Sequence, residues 1–72
     1  MPRFRNARLT EKIVLKIKKL REQKGVTLQE FYNDTGIHLA RIESEKRDLP
    51  ISALHRICEY FGLTLQEFFK GI

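Results

Sequence analysis

Ile37, His38, Arg41 and Ser44 stand in the stretch DTGIHLARIESEKR, residues 34–47, at intervals that put them on one side of a short helix. Leu39 and Ile42 would hold the other side to a core. Arginine offers a two-pronged donor to the O6 and N7 of guanine, which makes Arg41 the leading base-reading candidate. His38 could donate to a base edge or a phosphate, with the pH sensitivity a histidine contact brings. Ile37 could meet a thymine methyl or pack within the domain. This is binding chemistry, not turnover. Cys58 repeats with Leu54, Ile57 and Phe61 on an apolar face, and no base or acid orients His55 or His38 into a catalytic set. The two histidines lie 17 residues apart with nothing resembling a zinc signature around them. We therefore expect no catalytic residue, no metal, no cofactor and no small-molecule ligand.

The elements that must position this helix belong to one small domain. A chain of 72 residues has room for a single core. Its 42% hydrophobic content is that of a folded domain, and no apolar run approaches the ~18 residues of a membrane span. No apolar segment follows the basic start MPRFRNARLTEK, so no secretion is expected, and the lone cysteine fits a reducing cytoplasm. The net charge of +5 is uneven: residues 1–24 carry nine Lys/Arg against two Glu, while residues 25–49 carry three against five. A basic pole of this kind implies an anionic partner such as nucleic acid, or a solvated lysine-rich helix face.

Residues 1–10 read as a basic arm and residues 11–72 as the folded domain. Thr10 is the expected cap of a first helix over 11–24, whose core face is Ile13, Val14, Ile17 and Leu20. Leu15 points away from that face. Gly25 ends the helix. GVTLQEFY (25–32) and GLTLQEFF (62–69) use one helix-start device twice: Thr27 with Glu30, and later Thr64 with Glu67, form capping boxes. A second helix is expected over 28–33, broken by Asn33 and Asp34, and a third over 36–44 capped by Thr35. Ser52 would cap a fourth helix over 52–61, and Thr64 opens a fifth with Leu65, Phe68, Phe69 and Ile72 along one stripe. The expectation is all-α, five short helices, with a tight helix-turn-helix made by the second and third.

IKKLREQKGVTLQEF, RIESEKRDLP and LHRICEYFGLTLQEFF, in this order, resemble the lambda-repressor-like (XRE/Cro-type) helix-turn-helix regulators over about four fifths of the chain. The resemblance implies a double-stranded DNA partner and a third helix reading the major groove. It implies a structural ion pair between Arg21 and Glu43, to which the apolar spacing adds that both charges border the core. It places phosphate contacts at Thr27, Gln29, Thr35, Ser44, Lys46 and Arg47. From Gly25 to Glu43 the chain is about three residues shorter than family spacing, which leaves two registers open. With Thr35 as the cap, the groove-facing positions are Gly36, Ile37, His38 and Arg41. With Gly36-Ile37 as the turn, the third helix is truncated and Ile37 is buried. The first register is preferred because it keeps the helix long enough to present a face. Leu28 stands where the family usually has a phosphate-holding glutamine, and Glu45 where it usually has glycine.

These readings point to a sequence-specific DNA-binding transcriptional regulator, a small cytoplasmic repressor, with a possible homodimer contact through Leu65, Phe69, Ile72 and Leu15. The alternative is a protein-interaction or antitoxin-like module on the same fold. Leu28, Glu45 and the short turn are the features that favour it.

Overall fold

A computed structural model describes residues 6–45 and 49–72. Five α-helices run α1 Ala7–Lys24, α2 Leu28–Thr35, α3 Leu39–Glu45, α4 Ile51–Tyr60 and α5 Leu65–Phe69, and no strand occurs among the described residues. The expected all-α architecture is the one observed, with six of the helix boundaries displaced, three of them by a single residue.

Helix α1 begins four residues earlier than expected. Asn6 is its cap, with Oδ1 accepting the Leu9 N–H at 3.0 Å. Thr10 lies inside the helix, buried, and its hydroxyl donates to the Asn6 carbonyl at 3.1 Å. Asparagine caps as well as threonine does, so the earlier cap adds a helical turn. Residues 7–10 of the expected arm are thus helical, while Arg3, Phe4 and Arg5 lie outside the described residues. Helix α1 stops at Gly25, whose φ of +71° is left-handed.

Both expected capping boxes form. Thr27 and Glu30 exchange bonds of 3.1 and 3.2 Å at the start of α2, and Thr64 and Glu67 exchange bonds of 3.0 and 2.9 Å at the start of α5. Helix α4 opens at Ile51 with Pro50 in the cap position and no side-chain cap bond, so Ser52 does not cap it. Proline presets the helical φ, here −60°, and its carbonyl accepts the Leu54 N–H at 3.1 Å.

The core consists of Ile17, Phe31, Leu39, Leu54, Ile57, Cys58 and Phe68, drawn from all five helices. Ile13, Leu20 and Ile42 pack against it half-buried, and Leu15 is 65% exposed, as the helical spacing requires. Phe31 is the hub. It stands edge-on to Tyr60 at 5.1 Å and stacks with Phe61 at 5.9 Å, joining α2 to α4 and the turn after it.

Candidate nucleic-acid interface

Helix α2 runs two residues further than expected and ends at Thr35. The Thr35 side chain is buried. Its hydroxyl donates to the Phe31 carbonyl at 2.8 Å and accepts the Ile37 N–H at 3.1 Å. Gly36 is the left-handed cap of α2, with φ +76° and its N–H on the Tyr32 carbonyl at 2.8 Å. Thr35 is therefore not the cap of α3, and the preferred register is corrected in favour of the other. A threonine can cap the next helix or bond back into its own. Beside Phe31 the hydroxyl is out of reach of water, and bonding back satisfies it.

Helix α3 is consequently short. Its hydrogen bonding starts from the His38 carbonyl, which accepts the Ile42 N–H at 3.2 Å. Seven residues make about 10 Å of helix. Leu39 is buried and Ile42 half-buried, the two anchors read from the sequence. Of the expected base-reading set, His38 and Arg41 are exposed, while Gly36 closes the turn and Ile37 packs against the core. Of the expected phosphate set, Thr27, Gln29 and Ser44 are exposed, Thr35 is committed inside the turn, and Lys46 and Arg47 lie outside the described residues. The Ser44 hydroxyl donates to the Arg41 carbonyl at 3.3 Å, leaving its oxygen able to accept.

The exposed ends of α2 and α3 meet in a shallow cleft lined by Leu28, Gln29, Tyr32, His38, Leu39 and Ala40. Its volume of about 220 Å³ admits a base edge or a single side chain, not a metabolite. The His38 ring stacks on Tyr32 with centroids 4.0 Å apart and planes 26° from parallel. That stack ties the side chain before α3 to the face of α2, so less freedom is lost when it meets a partner. Gln29 donates its amide to Asn33 at 3.0 Å, which orients the amide at the cleft.

Helix α4 sets the angle of the whole unit from behind. Arg56 Nε donates to the Thr35 carbonyl at 2.9 Å, satisfying a backbone acceptor at the end of α2. One turn later, Tyr60 donates its hydroxyl to Asp34 at 2.7 Å, and this bond with the nearby carboxylate holds the phenol proton above its ordinary pKa. Lys24 closes the other end: its ammonium donates to the Tyr60 carbonyl at 3.0 Å and lies 4.8 Å from the Tyr60 ring centroid. Arg56 and Tyr60 did not stand out in the sequence, and Tyr32 did so only as part of an expected apolar face of the second helix with Leu28 and Phe31, of which Phe31 alone is buried. The i, i+4 spacing of Arg56 and Tyr60 was the available signal, but it does not name its partners.

The expected ion pair between Arg21 and Glu43 is not closed. Arg21 Nε and Glu43 Oε1 are each buried without a hydrogen-bond partner. The reason is position along α1. Arg21 turns its Nη1 to the Val26 carbonyl at 2.9 Å, past the end of the helix. Glu43 faces the other half of α1, in a groove with Val14 and Leu15. Elsewhere, Cys58 is fully buried, which pushes its thiol pKa up, and His55 is exposed beside Glu59 at 3.6 Å. No cluster of three or more metal-ligating side chains occurs among the described residues. No described helix is long and apolar enough to cross a membrane.

A family model described as a helix-turn-helix domain matches residues 16–72, from the middle of α1 through α5. No curated protein and no solved structure matches the chain. The matched span holds the whole α2–turn–α3 unit and the α4 brace behind it, and the chain belongs to the helix-turn-helix domain family, within its XRE/lambda-repressor-like group.

Proposed function

We propose that this protein is a sequence-specific, double-stranded DNA-binding transcriptional regulator, a small repressor acting in the cytoplasm. The observation that carries the reading is the joint face of α2 and α3, where Gln29, Tyr32 and His38 line an exposed cleft with buried Leu39, and Arg41 and Ser44 are exposed on the helix that follows. Helix α3 enters the major groove by its first turn. Arg41 reads a guanine, the Tyr32–His38 stack presents a donor, and Leu28 and Ala40 offer apolar contact to a thymine methyl. Thr27, Gln29 and Ser44 hold phosphates, which positions the helix without reading sequence. Lys46 and Arg47 follow α3 in the chain and carry the charge for the same role. A homodimer on a palindromic site would double the short reading face, with Phe69, at 36% exposure, the most accessible of Leu65, Phe69 and Ile72 in that contact.

Selection of bound sites from a random duplex library tests this. A defined consensus is expected, palindromic if the protein binds as a dimer. The two cationic phosphate contacts, Lys46 and Arg47, would weaken binding about tenfold between 50 and 200 mM salt. Arg41→Ala is expected to cost about 1–3 kcal/mol and to relax one position of the consensus. An absence of binding at low salt would sink the proposal. It would favour the protein-interaction or antitoxin-like reading, which draws on the 37% exposure of Leu28 at the cleft and on the brevity of α3.

A further inference from the structure

A second surface lies on α1 and shares no residue with the α2–α3 cleft. Lys12, Leu15, Lys16 and Lys19 recur at i, i+3, i+4 and i+7, so they form one outward stripe. Against this stripe the chain past α5 returns, and the two enclose an open groove of about 730 Å³ walled by Lys12, Lys16, Lys18 and Lys19 with Leu15 and Ile72 among them. Among the described residues Glu22 is the one acidic side chain on its rim against four lysines, so the groove is cationic. One wall is fixed: the Lys16 ammonium donates to the Lys70 carbonyl at 3.0 Å and lies 5.3 Å from the centroid of buried Phe68. Leu15 is 65% exposed in the middle of the lysines.

The geometry points to this groove as the docking site of an acidic, amphipathic protein segment, such as a helix or strand carrying carboxylates on either side of a leucine-like residue. Three features select that occupant. The charge calls for an anionic partner. A groove of this volume takes several side chains of one segment, whereas a duplex backbone gains nothing from a leucine in its path. A second copy using the same patch would set lysines against lysines about a two-fold axis, which opposes an isologous dimer there. The protein would thus hold DNA on the α2–α3 face and an acidic partner on the α1 face at once.

The probe is a fluorescein-labelled synthetic peptide of Glu and Leu in helical alternation, with an all-Glu peptide and random duplex DNA alongside. Fluorescence anisotropy with the full chain is expected to show saturable binding of the Glu/Leu peptide, weaker binding of all-Glu, and loss of affinity with salt. The double reversal Lys12→Glu/Lys19→Glu is expected to weaken the peptide about tenfold or more, and Leu15→Ser severalfold. These side chains face solvent, and circular dichroism checks that the variants fold. The unmodified protein supplies an independent measure: peptide moves the methyl resonances of Leu15 and Ile72, and duplex DNA does not. No peptide binding up to about 1 mM would overturn the proposal. So would equal affinity for all-Glu, movement of those methyls by DNA, or a wild-type dimer in sedimentation that Leu15→Ser dissociates.

Discussion

Gly36→Ala has opposite signs under the two registers of α3. If residue 36 opened the third helix, alanine would be the better helix former and would stabilise by about 0.8–1.0 kcal/mol. In the structure Gly36 caps α2 at φ +76°, and a Cβ built there meets no atom within 4 Å. The cost is therefore not a clash with neighbours. It is the left-handed conformation itself, about 1–2 kcal/mol for an L side chain. In a domain of this size, 1 kcal/mol corresponds to about 4–8 °C in Tm. Thermal unfolding followed by far-UV circular dichroism is expected to show Gly36→Ala melting about 4–16 °C below wild type. Gly36→Asn should fall by less, because asparagine tolerates this region. A Tm for Gly36→Ala at or above wild type would refute the reasoning. It would return Gly36 to the helix and Ile37 to the groove-facing set.

Phe31→Ala removes the hub between α2 and α4 and is expected to cost about 3–5 kcal/mol in urea unfolding, most of what a 72-residue domain holds. Glu43→Leu replaces a carboxylate with an unpartnered buried oxygen beside Val14 and Leu15, so stability should rise by about 1 kcal/mol, and a loss of that size would mean that Arg21 and Glu43 pair in solution. Glu67 is held below the usual carboxylate range by the bonds it accepts from Thr64. Its stabilisation is present above the ordinary glutamate pKa and is lost as pH falls through the depressed folded value. The Tm advantage of wild type over Glu67→Gln should accordingly shrink on acidification, and an unchanged gap at acid pH would contradict the assignment.

Much of this fold was legible because its decisive signals are local. Thr27 with Glu30, and Thr64 with Glu67, lie three residues apart, and each box closes within a single turn whatever surrounds it. The core faces of α1 and α4 follow largely from helical period: Ile17, Leu54, Ile57 and Cys58 are buried where the period puts them, whereas Val14 lines the groove with Glu43 instead of packing on the core. Caps with two local solutions were less legible. Asn6 and Thr10 could both open α1, and the spacing of apolar residues does not choose between them.

Residues 34–44 mark the boundary between the two kinds of information. The sequence by itself determined that a short helix stands there, anchored by Leu39 and Ile42, with His38 and Arg41 outward. Where that helix begins was decided by tertiary structure. Thr35 had two local uses, and burial beside Phe31, with Arg56 of α4 on its carbonyl, selected the bond back into α2. The same distinction separates Arg21 from Glu43. Both charges border the core as their spacing requires, but whether they meet depends on how far along α1 the third helix crosses, and that is set by packing between helices rather than by the period of either.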